Sequence, residues 1–291
     1  MHTQFNNYFD SVELFLKSEQ VIRKESSSFH FAFSQLPRET SLSIFVLYNF
    51  LRQLDDSADK FDVSKFNRLV DDWRSAIVRD RIVLNKNSNI SEQVAYIFKK
   101  HSIDATLMED MITGQLNDLN GQKIKSEVDL ERYCYQVAGT VGCIIVSILD
   151  QDAYKSAKSD IIDTGIALQM TNILRDIYED AMNGKAYIPI DLMQKYDVNI
   201  KDLMVPVPDD NVRELLLFLA DKARKKYLSE RKFINFLSDT VSRRSVHLSV
   251  VVYKKLLCKL IKGKFTNTSD RIFVTKLEKT WILIKSRLFL I

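Results

Sequence analysis

Apolar residues return at steps of three and four through most of this chain, which predicts a succession of helices. The first runs from residue 1 to about 24, with Phe5, Tyr8, Phe9, Val12, Phe15 and Leu16 on one face. Ser26-Ser27-Ser28 breaks it and offers a cap for the aromatic stretch from Phe29 to Phe33, and Leu36-Pro37 marks a turn. Glu39 to Asp59 reads as a strong helix burying Ile44, Leu47, Leu51 and Leu54. Helices are predicted next at 63–79, 90–100 and 104–120, the last closed by Asn120-Gly121. Asp129 to Leu149 follows, then Ala153 to Met182 closed by Asn183-Gly184, the loop Lys185 to Pro189, and a connector at Val205-Pro206-Val207-Pro208. Helices over Asn211–Leu237, Val241–Leu260 and Thr268–Leu290 complete the pattern. No repeat or linker interrupts it, so the expectation is one all-α domain over residues 1–291.

Composition agrees. Seven Gly, four Pro and 46% hydrophobic residues suit long helices around a sizeable core better than strands and turns. The net charge of +4 hides an asymmetry. From Lys222 onward there are 18 Lys and Arg against 4 Asp and Glu, while the rest of the chain holds 24 against 34. Either the C-terminal part meets something anionic or it is a solvated basic face. Cys134, Cys143 and Cys258 have no paired spacing and read as small core residues in a reducing compartment. The N-terminus lacks a secretory pattern. The uncharged run from Tyr133 to Leu149 is 17 residues, slightly short for a span, and reads as a buried helix. Its Gly139 and Gly142 permit another backbone, or a ligand, to approach closely. A cytoplasmic protein is expected, with membrane association as an alternative for the basic end from Trp281 to Ile291 if that segment does not dock on the core.

Two polar stripes change the picture. On one predicted helix Gln169, Asn172, Asp176 and Asp180 share a face beside the apolar Met170, Ile173, Leu174 and Ile177. On another, Tyr48, Arg52, Asp55 or Asp56, and Asp59 share one. Each stripe has two carboxylates four apart with an arginine (Arg52, Arg175) within a turn before them. Either stripe alone reads equally well as a solvated acidic face. Two such helices facing each other would surround a cleft suited to Mg²⁺ with substrate phosphates completing its coordination, and to arginines holding phosphate oxygens. Such a cleft would assist departure of a diphosphate from a prenyl chain, with aromatic faces stabilising the carbocation. Phe29, Phe33, Phe45, Tyr48, Tyr133 and Tyr135 are candidates for that lining, each also an ordinary core residue in its own right. Four scattered histidines, no GxSxG, no P-loop and no GxGxxG leave His-metal, serine-hydrolase and nucleotide chemistry unsupported.

The blocks Ser26 to Phe33 (SSSFHFAF), Tyr48 to Asp59 (YNFLRQLDDSAD), Tyr133 to Gly142 (YCYQVAGTVG), Gln169 to Asp180 (QMTNILRDIYED) and the loop GKAYIP resemble the squalene/phytoene synthase family, along essentially the whole chain. Among its members the chain most resembles the short bacterial dehydrosqualene (4,4′-diapophytoene) synthases. The resemblance implies an isoprenoid-synthase-type helical bundle with a central cavity, and head-to-head condensation of two farnesyl diphosphates through presqualene diphosphate to dehydrosqualene. It further implies two or three Mg²⁺ ions on Asp55, Asp59, Asn172, Asp176 and Asp180. Diphosphate would be held by Arg52, Arg175, Lys185, Tyr187 and Arg271, and Ser26, Phe29, Tyr48 and Tyr253 would complete the pocket. Gln169 and Tyr133 would stand beside the reacting intermediate.

NADPH is not expected, since nothing identifies a binder for it. Bulky Phe33 and Phe45 near the first stripe are expected to close the cavity floor and favour C15 over C20 substrates. The alternatives are a phytoene synthase using geranylgeranyl diphosphate, a squalene synthase using NADPH, and a non-catalytic member of the family. A nucleic-acid role has no supporting motif.

Overall fold

In the computed structural model, which describes residues 4–288, the helices run α1 Gln4–Glu25, α2 Ser27–Phe33, α3 Arg38–Asp59, α4 Val63–Ile77, α5 Ile90–Lys100, α6 Thr106–Leu119 and α7 Glu127–Cys134. A π-helical turn, Tyr135–Gly139, joins α7 to α8 Thr140–Leu149. Then come α9 Gln151–Met182, α10 Ile190–Lys195, α11 Asp210–Lys226, α12 Glu230–Ile234, α13 Thr240–Lys262 and α14 Lys276–Leu288, with short 3₁₀ turns before α11 and α12. No strand occurs among the described residues. The side chains of Phe5, Tyr8, Phe9 and Val12, and residues 289–291, lie outside the described part.

Local chemistry explains several boundaries. Asn89 and Ser126 form capping boxes with Glu92 and Asp129, and Asp62, Asp150, Asp209 and Asp239 accept from the first free amides of their helices. Gly121 and Gly184 take left-handed φ of 64° and 74° just beyond α6 and α9, where the Asn-Gly pairs predict a stop.

Five expectations are corrected. Ser26 stands at the α2 N-cap without a capping bond, with Tyr48 near it. The segment Asp129–Leu149 is interrupted by the π turn. Asn211–Leu237 breaks around Tyr227 into α11 and α12. Thr268–Leu290 begins as coil, and only from Lys276 is it helical. Ile190–Lys195 is helical where only the preceding loop is read from the sequence.

Helix α9 is central: α7, the π turn, α8, α11, α12 and α13 all pack on it. Two apolar clusters flank it. One gathers α3, α4, α5, α6 and α8 around Phe45, Phe50, Trp73 and Phe98; the other gathers α9, α11 and α13 around Ile173, Leu216 and Leu257. Phe29 and Ile162 touch both clusters. Glu127–Leu149 is the one described stretch long and apolar enough to cross a bilayer, and it packs between α6 and α9. Cys134 and Cys143 are buried as expected, whereas Cys258 is exposed on α13.

Candidate active site

The apolar face of α3 is fixed in the core by Leu47, Leu51 and Leu54, which turns Tyr48, Arg52, Asp55 and Asp59 out along the opposite edge. Arg52 bridges Asp55 at 3.1 Å and Asp56 at 2.8 Å. Burial, and then repulsion from Asp59, push the Asp55 carboxyl up to about 6 although Arg52 pulls the other way. The α9 stripe is built in the same manner on Met170, Ile173, Leu174 and Ile177. Arg175 chelates Asp176, its Nε 2.7 Å from Oδ1, and Arg271 approaches the same oxygen at 3.3 Å. Burial, together with the charges of Asp176 and Glu179, raises Asp180 to about 7. Asn172 donates to Gln169 Oε1 at 3.4 Å, and its own Oδ1 is buried without a partner.

Lys185 links the two stripes. The left-handed Gly184 folds the chain back beyond α9, and the Lys185 ammonium reaches Asp59 Oδ1 at 2.5 Å. Burial opposes the Lys185 charge, but Asp59, Asp118 and Asp55 more than offset it and hold the pKa high. Beside it the rings of Tyr133 and Tyr187 stack with centres 4.8 Å apart, and Tyr133 donates to Asp118 Oδ2 at 2.9 Å. Burial raises Asp118 to about 6 against that bond and the Lys185 charge.

Between α3 and α9 lies a cavity of about 280 Å³. Its mouth carries Arg52, Asp55, Gln169 and Asn172, and its walls are Phe29, Phe33, Val137, Ile145, Ile161 and Phe233 among others. Phe29 stacks on Phe33 at 5.9 Å and leans on Tyr253 at 5.6 Å. Phe45, expected in the lining, points away, fully buried against the His30 ring at 5.5 Å, so Phe33 alone of the pair faces the cavity. Tyr135 also turns aside, donating to Asp110 at 2.5 Å. A second, polar pocket adjoins on the other side of Tyr253, lined by Ser26, Ser27, Ser28, Arg175, Arg271 and Lys279.

The structure thus gathers Ser26, Phe29, Tyr48, Arg52, Asp55, Asp59, Gln169, Asn172, Arg175, Asp176, Asp180, Lys185, Tyr253 and Arg271 about one cleft, with Tyr133 and Tyr187 at its α6 side. Three neighbours go unread in the sequence. Gln115, 5% exposed, approaches Asp55 and leaves its own Oε1 unpaired; Asp118 receives Tyr133; and Lys279, 9% exposed, donates to Ser27 at 2.9 Å. Gln115 and Asp118 stand three apart on one face of α6, which is the signal that could have found the first two. Lys279 carries no local signal, since its partner lies 252 residues away.

Among the described residues no three His, Cys, Asp or Glu converge tightly enough to hold an ion by themselves. The oxygen donors stand as pairs on two helices, each partly neutralised by an arginine or lysine, which is an arrangement for an anion and cations together.

The model of the squalene/phytoene synthase family matches residues 22–278. The chain belongs to that family. Its members are prenyltransferases. The chain is 28% identical over 266 residues to the 4,4′-diapophytoene synthase of Staphylococcus haemolyticus, covering 89% of this chain and 91% of that one. It is 26% identical over 288 residues to the phytoene synthase of Arthrospira platensis, covering 94% and 91%. The chloroplastic phytoene synthase 1 of Arabidopsis thaliana is 26% identical over 272 residues, 92% of this chain but 64% of that longer one. A crystal structure of a dehydrosqualene synthase in complex with ligand superposes with a TM-score of 0.86 at 26% identity, over 98% of this chain and 99% of that one. The family's helical fold is therefore shared end to end, and the relatives include both diapophytoene and phytoene synthases.

Proposed function

We propose that this chain, as one synthase domain, joins two molecules of farnesyl diphosphate head to head, through presqualene diphosphate, to dehydrosqualene. The observation that carries the reading is the facing of two carboxylate–arginine stripes across the mouth of one apolar, aromatic-walled cavity. Anionic head groups suit the mouth and a hydrocarbon suits the interior.

The residues fit Mg²⁺. All candidate donors are hard oxygens, Asn172 Oδ1 is buried and unpaired, and Asp55 and Asp180 are carboxyls raised by burial and then by neighbouring carboxylates, whose repulsion a cation would relieve. Asp55 and Asp59 on α3, and Asn172, Asp176 and Asp180 on α9, would hold it. When bound, the metal supplies neutralisation of the departing diphosphate. Arg52, Arg175, Lys185 and Arg271, now paired with carboxylates, exchange those partners for phosphate oxygens; Tyr187, and Ser26 with Tyr48, stand within the same cleft. The C1–O bond of one substrate breaks, its allylic cation is held against the Phe29 and Phe33 faces, and the second substrate's C2–C3 double bond supplies the electron pair. A proton and one diphosphate leave in this half, and a proton and the second diphosphate in the next. Tyr133, fixed by Asp118, and Gln169 lie beside the intermediate.

Phe33 supports the shorter substrate by closing one wall of the cavity. Geranylgeranyl diphosphate, giving phytoene, is the alternative that the phytoene synthase relatives keep in view. The test is purified protein with Mg²⁺ and either diphosphate, hydrocarbons identified by mass. Dehydrosqualene from the C15 substrate is expected, and a clear preference for the C20 substrate refutes the assignment. Asp55→Ala and Asp176→Ala should each lower turnover at least about a thousandfold. Activity surviving in both would sink the two-stripe mechanism.

A further inference from the structure

Helix α14 has two faces with different chemistry. Its inner face docks: Lys279 donates to Ser27, Ile282 packs on the α9–α13 cluster, and Glu278 receives Lys259 at 2.7 Å. Its outer face presents Leu277, Trp281 and Ile284, at steps of four and three, 80%, 62% and 42% exposed. Lys276 and Lys285 are exposed beside them, with the Lys285 ammonium 6.0 Å from the Trp281 ring centre. Exposed Lys262 and Lys264 continue the positive charge at the end of α13 and just beyond it, against which helix α14 packs. Glu278, the single acidic residue of α14, is already matched by Lys259 and Lys255.

Charge and apolarity together select the occupant. A second copy of this chain would set like charges against each other, and a nucleic acid offers nothing for Leu277 and Ile284 to enter. An anionic bilayer meets both requirements: its headgroup phosphates take the lysines, and its acyl boundary takes the apolar stripe and the amphipathic tryptophan. Position agrees. Phe273, 68% exposed, and Arg271 precede α14 and line the polar pocket beside Arg175 and Tyr253.

We propose that the outer face of α14 seats this protein on an anionic lipid surface, with Leu277, Trp281 and Ile284 at the headgroup–acyl boundary. Under the function proposed above, this sets the polar pocket lined by Arg271 and Lys279 near the surface where a prenyl chain arrives and a hydrocarbon leaves. The contact itself is measurable without substrate, so its failure and the failure of that function are separate results.

The chain has two tryptophans, and Trp73 is fully buried against Phe50 and Phe98, so an emission change on adding vesicles reports Trp281. With phosphatidylglycerol vesicles the emission should move to shorter wavelength, and the protein should co-float. With phosphatidylcholine vesicles both effects should be far weaker. Each lysine near an anionic surface contributes roughly fivefold in affinity, so Lys276→Glu with Lys285→Glu should lower partitioning at least about twentyfold. Leu277→Ser with Trp281→Ser should lower flotation about tenfold or more, the melting temperature staying within about 2 °C because both side chains are already in water. Equal binding to the two lipids, flotation that survives the apolar double variant, or a concentration-dependent shift with doubled mass and no vesicles would each overturn the proposal.

Discussion

A methyl group added at Gly165 tests the contact on which the cleft depends. On α9 this glycine faces the π turn, and a Cβ there would lie 2.7 Å from the Ala138 carbonyl oxygen, 2.7 Å from Gly139 Cα and 2.9 Å from Gly139 N. All three are backbone atoms, so no side-chain rotation relieves the overlap and the helix itself must move. Overpacking of this kind costs about 1–3 kcal/mol even after local shifts. The intrinsic gain of Ala over Gly within a helix is about 1 kcal/mol, and for a mid-helix site with backbone overlap the cost prevails. Gly142→Ala is the control. Its Cβ would meet Ile161 Cγ2 at 3.4 Å and the Ile161 carbonyl oxygen at 3.6 Å, ordinary contact distances, so the helix propensity term decides and stability should hold or rise by up to about 1 kcal/mol. At about 2–4 °C per kcal/mol for a chain of this size, thermal unfolding followed by circular dichroism should place Gly165→Ala several degrees below the parent and Gly142→Ala at or above it. Turnover should fall with Gly165→Ala as well, because Gln169 and Asn172 ride on the displaced helix one and two turns on. If Gly165→Ala melts at or above the parent, α9 and the π turn do not touch as described.

Two further outcomes follow from the same packing. Phe33→Ala should open the cavity wall and raise the ratio of turnover with geranylgeranyl to that with farnesyl diphosphate about tenfold or more, read by competition and product mass; an unchanged ratio removes Phe33 from the length limit. Glu230, 1% exposed, is pushed up by burial, but His247 at 2.7 Å and Lys254 override this and hold it below its ordinary 4.5. Its depressed folded pKa therefore adds stability that is complete above about 4.5 and drains as pH falls through the folded value. Glu230→Gln should cost about 3–5 kcal/mol in denaturant unfolding at neutral pH, and an equally stable variant would remove the ionised pair from the account.

The helical order was legible because the helices bury stripes at the 3.6-residue period and six of the starts carry Asp, Asn or Ser caps. At two of the misses a residue distant in sequence lies close by. Ser26 makes no capping bond and lies near Tyr48 of α3, and the π turn at Tyr135–Gly139 brings Gly139 onto Gly165. The close approach that Gly139 permits is realised, yet nothing local to α9 marked Gly165 as its partner. The exposed Cys258 lies at a position on α13 where apolar content alone suggested core.

The cleft shows the same division. Asp55, Asp59, Asp176 and Asp180 stood out because a repeated spacing of charge on half-buried helices is costly without a purpose, and the structure sets Asp55 at the cavity mouth and Asp59 near Asp180 and Lys185. Asp118 and Gln115 did not stand out, because α6 also carries Glu109, Asp110 and Asn117, and one acid and one amide among these resemble a solvated edge until burial is known. Their place matters all the same. Asp118 fixes the Tyr133 hydroxyl, whose ring stacks on Tyr187, two residues beyond the Lys185 that bridges to Asp59. A change at Asp118 therefore loosens the link between the two stripes without removing a single member of either. A sequence reading that follows only the repeated carboxylates finds the charges and misses what holds them in register.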